Sequence, residues 1–416
     1  MADLLDVYLN RDLAGQLEEN RGKLLFTYQQ TWLESERFIP LSVTMGPQRE
    51  PFPDEIARPF FENLLPEGEI RAAIAKLKQL SERNTFGLLG EIGGDCAGAI
   101  SLWHHGEKPR KEEGYAELGE AHLAEVLAGM AKRPLIAIDN DLRLSLAGAQ
   151  NKLPVHYDGK QLSLPRGSSP SSHILKPGAG GFEHMPANEN FCMHLAGALE
   201  LPVPASIVLR KSEALYLIER YDRVSVPNGT LTRIHQIDFC QALNFPSHKK
   251  YEHEGGPSLA SCFDVISRFS TRPARDRLNL ISWVIFNYLI GNADAHAKNL
   301  SLLITRDGVT LAPFYDLVST AIYRDLTDKF ALRIGGENRP GWTQKRHWEQ
   351  FAEISGANPR VVWFRIAALS KTIVDVANET AKKLALDSKE LVTVAKILSV
   401  IESRAKQLKH LHQSER

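Results

Sequence analysis

Asp294, His296, Lys298 and Asn299 fall within six residues of one another, and Tyr315 and Asp316 follow about a turn and two short strands later. These are the residue types that phosphoryl transfer needs. A carboxylate can accept the proton of an attacking hydroxyl, and an amide and a second carboxylate can hold a cation. A lysine or imidazole can meet the charge on a transferring phosphate. Any one of these residues is ordinary in a solvated loop. The ordered set D-x-H-x-K-N, then a hairpin, then Tyr-Asp, points to a site.

The neighbouring elements must position them. Leu278 to Ile290 is an apolar run at helical length, and Gly291 is its natural terminator. The polar loop comes next, and loops on rigid scaffolds are where catalytic groups concentrate. Leu300 to Thr305 and Val309 to Pro313 then read as two strands around Asp307-Gly308, a strong hairpin signal. Counting outward from an Asp307-Gly308 loop puts Asn299 opposite Asp316. Directly opposed residues have Cβ atoms about 4.5–5.5 Å apart. An amide oxygen and a carboxylate at that spacing suit magnesium, which takes few protein oxygens and several from substrate phosphates. Asp294 lies upstream on the approach to the same hairpin, placed to orient an acceptor hydroxyl.

A phosphate donor also needs a cradle. The chain has no GxxxxGK[ST] and no GxGxxG. Its best candidate is Ala147-Gly148-Ala149-Gln150-Asn151-Lys152, a loop of small residues between strands, where backbone N–H groups can approach phosphate. Lys176 ends the short apolar strand 174–176 and could serve as a point charge for phosphate. Glu189, early in the next helix, could pair with it. Glu219-Arg220-Tyr221 follows an alternating strand, and its backbone could meet an adenine edge.

Composition bounds the rest. The chain has 416 residues, 43% hydrophobic and 24% charged, with zero formal net charge. That is an ordinary globular chain of one large or two smaller domains. Neutral charge argues against tight autonomous binding of nucleic acid. Cys96, Cys192, Cys240 and Cys262 form no CxxC pair and read as buried hydrophobes. The N-terminus lacks signal-peptide character, and the longest apolar stretch is too short and polar to span a bilayer. A soluble, cytoplasmic protein with no membrane partner is expected. Secondary-structure signals place strands at 4–9, 13–17 and 23–28, helices over 56–80 (broken at Pro66-Glu67-Gly68) and 120–130, and a charged linker over 106–119. Strands 153–157, 161–164, 172–176, 206–209 and 214–219 and a helix over 187–199 precede a mostly helical stretch from 238. A β-rich part followed by an α-rich part predicts an α+β fold of two lobes.

Together these segments resemble the HipA family, the kinase toxins of bacterial toxin–antitoxin modules. The resemblance rests on Ser145-Leu-Ala-Gly-Ala-Gln150 with Lys152, His173-Ile-Leu-Lys176, Asn188-Glu189, Glu219-Arg-Tyr-Asp-Arg223, Tyr251-Glu252 with Gly255-Gly-Pro257, Asp294 to Asn299, and Pro313-Phe-Tyr-Asp316. Leu89 to Asp95 with Gly98-Ala99 is similar to the family's N-terminal domain. Ala295 stands where the family often has glycine.

The resemblance implies a serine/threonine protein kinase with a bilobed fold related to phosphatidylinositol 3-kinases. The expected divisions are an N-terminal subdomain over 1–105, linker and helix over 106–140, the rest of the N-lobe over 141–237 and a helical C-lobe over 238–416. Implied cofactors are ATP and Mg2+. Asp294 becomes the proton acceptor, and Asn299 and Asp316 the metal ligands. Residues 147 to 152, Lys176, Glu219 to Tyr221, His296, Lys298, Asn299, Tyr315 and Asp316 become ATP contacts. Ser145 becomes an autophosphorylation site that switches the enzyme off. A phosphate there would compete for the basic groups meant for ATP. Implied partners are a small helix-turn-helix antitoxin (HipB-like), operator DNA reached mainly through it, and a protein substrate, aminoacyl-tRNA synthetases being among the family's. Two other readings stay open: a catalytically weak kinase-fold co-repressor that holds the antitoxin, and a small-molecule or lipid kinase.

Overall fold

The computed structural model describes residues 3–130, 148, 150–178, 180–226 and 230–413. Strands and helices alternate through the first part and helices dominate the second, so the expected α+β class is found. The chain divides into two compact units, and not by a single cut. One unit comprises residues 1–177, 219–248 and 302–309, and the other 178–218, 249–301 and 310–416.

The first unit holds most of the strands. Asp3–Leu9, Asp12–Asn20, Lys23–Tyr28 and Ile100–His104 form an antiparallel sheet with Asp3–Leu9 inside it. Leu5, Val7 and Leu9 are buried, and Phe26 sits among Tyr28, Phe52 and Phe61. The helix expected over 56–80 is two helices, Asp54–Glu62 and Gly68–Leu77, broken where Pro66 and Gly68 break it. A second sheet runs Glu112–Glu117, Leu162–Gly167, Leu153–Tyr157, His173–Lys176. Its first strand lies inside the stretch read as a linker. Glu112–Glu117 is exposed along almost its whole length, so its charges stay solvated while its backbone pairs.

A buried ion cluster anchors this unit. Arg220 donates to both oxygens of Asp222, at 2.9 and 2.8 Å, and to Ser171 Oγ at 3.1 Å. Asp222 also accepts from the Gly98 N–H at 2.8 Å and meets Arg223 at 2.9 Å. Burial pushes the Asp222 carboxyl up, but the two guanidiniums outweigh it and hold the group well below the usual carboxylate range. Burial and the like charge of Arg220 bring Arg223 down to about 9.

The second unit is mostly helical. Its helices are Met185–Ala198, Leu259–Phe269, Pro273–Ile290, Lys345–Ser355, Pro359–Lys383 and Ser388–Gln413, and Trp283, Tyr288, Trp348 and Phe351 are among its buried residues; Ser206–Arg210 pairs with residues 214–218 as a hairpin. Among the described residues no helix is long and apolar enough to cross a membrane. All four cysteines are buried and unbridged.

Pro273–Ile290 is the helix that delivers the polar loop. Proline occupies its first turn, where a missing N–H costs nothing. Asp276 in that turn is fully buried and accepts from Ser270 Oγ at 2.7 Å and the Leu311 N–H at 2.8 Å. At the other end Gly291 takes φ 71°, and a side chain there would come within 2.7 Å of Ala321 Cβ and 2.9 Å of Val400 Cγ1. Gly291→Ala therefore meets both a left-handed backbone and a filled space. It is expected to lower stability by about 1–3 kcal/mol, read as a reduced urea midpoint, with activity falling in step as the loop shifts.

Candidate active site

Of residues 291 to 300, Asp294 alone is exposed; its neighbours on both sides are buried. The loop is held from below. The Asp294 N–H donates to Asn292 Oδ1 at 3.1 Å, and Asn292 Nδ2 donates to Asn287 Oδ1 at 2.8 Å and to the Asp316 carbonyl at 3.4 Å. Ala293 N–H donates to Thr320 Oγ1 at 2.7 Å, and Thr320 Oγ1 donates back to Gly291 O at 3.1 Å. His296 and Asn299 continue the turn through backbone bonds, ending in the short 3-10 segment Ala297–Asn299. The result is a carboxylate presented to solvent from a backbone with little freedom. From the side, Tyr251 Oη donates to Asp294 Oδ1 at 2.7 Å.

Asn299 and Asp316 are brought together, with Asn299 Nδ2 3.4 Å from Asp316 Oδ2. The hairpin register expected to do this is corrected. The turn is Arg306-Asp307, and Gly308 begins the second strand at φ 121°. Ala312 N–H donates to Ser301 O at 2.9 Å, a pairing that puts Phe314, not Asp316, across from Asn299. Asp316 arrives by another route. After Pro313 the chain leaves the ladder, and Asp316 adopts φ 54°, the left-handed region that curls its side chain back. Tyr315 Oη donates to the Lys298 carbonyl at 2.6 Å and meets Ser301 Oγ at 3.1 Å, tying the returning strand to the loop.

The donor set fits magnesium. Asn299 is 5% exposed, and its Oδ1 is enclosed without a hydrogen-bond partner. A buried orphan acceptor is costly unless something positive occupies it. Asn299 turns its Nδ2 to Asp316 here, and its orphan amide oxygen with the Asp316 carboxylate are hard oxygens of the kind that magnesium takes alongside phosphate oxygens. Among the described residues no group of three or more His, Cys, Asp or Glu forms a self-sufficient metal cage. His296 and Lys298, in the same loop, are both 7% exposed.

The other expected site residues lie in the first unit, except Glu189. Gly148 has φ 110°, and a Cβ there would come 2.8 Å from Lys152 Nζ, so the lysine head lies against a position that only glycine fits. The Glu67 N–H donates to Gly148 O at 3.2 Å, and Asn151 Nδ2 to Met130 O at 3.2 Å. Gln150 is half-buried. Ser145, Ala147 and Ala149 lie outside the described residues. Lys176 is 5% exposed and Glu189, in the second unit, 4% exposed. Glu219 is exposed. Tyr221 Oη donates to Gln236 Oε1. Arg220 is spent inside the fold: its guanidinium is on Asp222, its N–H on Ser172 O and its carbonyl on the Arg223 N–H. Its polar groups support the segment from within.

Sequence reasoning passed over three contributors. Asn287 and Asn292 are polar residues at the end of an apolar helix, a signal that they serve one another. Tyr251 carried no local signal of its partnership, since Asp294 is 43 positions away. Asn188 also gains a structural role: it accepts from the Ser319 N–H at 2.9 Å and donates to Ser319 O at 3.0 Å.

Family comparison decides what this arrangement belongs to. The HipA-like C-terminal domain matches residues 144–384, and the HipA N-terminal domain matches 5–103. The chain belongs to the HipA family. A Sinorhizobium fredii relative named "Putative kinase Y4mE" is 39% identical over 395 residues, 93% of each chain. The Shewanella oneidensis serine/threonine-protein kinase toxin HipA is 31% identical over 351 residues, 81% of this chain and 79% of the relative. Among solved structures, a chain of the Shewanella oneidensis MR-1 complex of HipA, HipB and operator DNA superposes with TM-score 0.88 at 27% identity, covering 99% of this chain and 98% of that one. The fold is thus the kinase-like HipA fold.

Proposed function

We propose that this HipA-family chain is an ATP- and magnesium-dependent serine/threonine protein kinase acting as the toxin of a toxin–antitoxin module. The observation that carries the reading is the exposed Asp294 carboxylate on a fastened loop, in the same unit as the adjoining Asn299 amide and Asp316 carboxylate. The named kinase relatives and the HipA–HipB–DNA complex support it.

In this reading the acceptor hydroxyl donates to Asp294, which orients it in line with the γ-phosphate and takes its proton as the new O–P bond forms and ADP leaves. Asn299 and Asp316 would hold magnesium, which when bound neutralises charge on the donor's phosphates. Lys298 and His296 meet the charge that develops on the transferring group. Gly148 to Lys152 with Ala147, Lys176, and Glu219 and Tyr221 are the proposed ATP contacts of the first unit, with Arg220 bracing the last two. Tyr315 supports the Lys298 carbonyl. Ser145 is the proposed autophosphorylation site, where added negative charge opposes ATP phosphates. The proposed partners are a HipB-like antitoxin and, mainly through it, operator DNA, since the zero net charge of this chain supplies little electrostatic footprint of its own. The proposed location is the cytoplasm, where such partners act.

The metal assignment has its own test. Asp316→Asn is expected to lower phosphate incorporation by about 10²–10³-fold at ordinary magnesium, with partial recovery as magnesium is raised. A variant that transfers phosphate at the wild-type rate across the titration removes Asp316 from the metal site.

A further inference from the structure

The segment that carries Tyr251 is built to hold it. Tyr251 O accepts from the Glu254 and Gly256 N–H groups at 3.1 and 3.0 Å, closing a tight turn. A side chain at Gly256 would lie 2.7 Å from Tyr251 O, so the turn needs glycine. The next residue, Glu252, donates its N–H to Ala331 O at 3.1 Å and accepts the Arg333 N–H on Oε2 at 2.6 Å. Ala331 in turn donates to Ala293 O at 3.0 Å. The residue after Tyr251 is therefore strung, through Ala331, to the residue before Asp294. The Tyr251 ring also stands edge-on to His296, with centroids 5.3 Å apart and an interplanar angle of 81°. Backbone and ring both fix the phenol where its hydroxyl meets Asp294 Oδ1.

We propose that Tyr251 is a positioning residue of the phosphoryl transfer, acting through Asp294; this rests on reading Asp294 as the proton acceptor. An ionised carboxylate can only accept, so the tyrosine hydroxyl is the donor. It claims Oδ1, stops rotation of the carboxylate and leaves Oδ2 for the acceptor hydroxyl. In the transfer the acceptor's O–H proton passes to Oδ2, the acceptor oxygen bonds the γ-phosphorus and the bond to ADP breaks; Tyr251 keeps its proton throughout.

The test compares purified Tyr251→Phe, Asp294→Asn and the double variant with wild type, given ATP and magnesium, reading phosphate incorporated into the protein itself or into lysate protein. Tyr251→Phe keeps the ring and removes the donor. It is expected to lower kcat about ten- to a hundredfold, the worth of one hydrogen bond to a charged group, with KM for ATP and the urea midpoint unchanged. The double variant is expected to be no slower than Asp294→Asn. Wild-type or raised kcat in Tyr251→Phe, with Asp294→Asn inactive, overturns the positioning role and leaves the proton-acceptor reading standing; a rise would mean that the phenol merely occludes Asp294. A double variant slower than Asp294→Asn overturns it too, since Tyr251 would then act elsewhere. Full activity in Asp294→Asn overturns the proton-acceptor reading itself.

Discussion

Asp294→Ala is expected to cut phosphoryl transfer by about 10²–10⁴-fold and, in cells, to abolish growth arrest. The size follows from what the carboxylate does. In the proposed reading it orients the attacking hydroxyl and receives its proton, and no other exposed acid lies in residues 291–300 to replace it. The fold should not suffer. The Asp294 side chain is exposed, and the loop is held by Asn292, Ala293 and Thr320 through bonds that do not use it. Binding of the proposed antitoxin should therefore survive, and gel filtration of the variant with that partner checks this. If the variant still transfers phosphate at the wild-type rate, Asp294 is not the proton acceptor. Loss of partner binding along with activity would instead point to unfolding.

Asp222→Ala is the largest expected loss of stability. Arg220 and Arg223 are 4% and 7% exposed, and Asp222 is the carboxylate that both share. Removing it leaves the two buried guanidiniums to rely on Asp95, which lies 3.8 Å from Arg223 and already pairs with Arg233 at 3.2 Å. Breaking a buried pair from one side costs about 3–5 kcal/mol, mostly the burden of the stranded charge. The Gly98 N–H loses its acceptor as well. Urea unfolding should show the drop, and an apolar replacement of Arg220 together with Asp222 should recover part of it. The sign with pH is fixed. Asp222 titrates below its unfolded value, so its contribution is fully present above about pH 4 and fades only as the pH falls through the lower folded value. A shift in the midpoint near neutral pH therefore comes from other groups.

Much of the site was legible because it is local. The apolar run to Ile290, the glycine after it and the polar loop from Asp294 to Asn299 are contiguous, and the helix end behaves as such ends do. The strands were legible from alternation, and Ala214–Glu219 and Lys23–Tyr28 fall at the expected residues. The hairpin register was misread for a physical reason. Asp-Gly is a strong two-residue loop signal, but here glycine's open φ is used at the first strand position. Asn299 and Asp316 meet anyway, because proline ends the ladder and a left-handed aspartate turns back, and neither event is visible to register counting. Arg220 stands in the segment whose backbone was read as a nucleotide edge, and its side chain is drawn inward by Asp222 two residues on. Tyr251 was part of a recognised motif, yet only the three-dimensional path through Ala331 and Ala293 shows what it holds.

The central claim is that this HipA-family chain transfers phosphate from ATP. Mass spectrometry of the purified wild-type protein and of Asp294→Ala, each incubated with ATP and magnesium alone and with cell lysate, tests it most directly. The account predicts phosphate on Ser145 of the wild type and on serine or threonine of at least one lysate protein, and on neither with the variant. Wild-type protein that phosphorylates neither itself nor any lysate protein would contradict it, and would leave a kinase fold serving only to hold its partner.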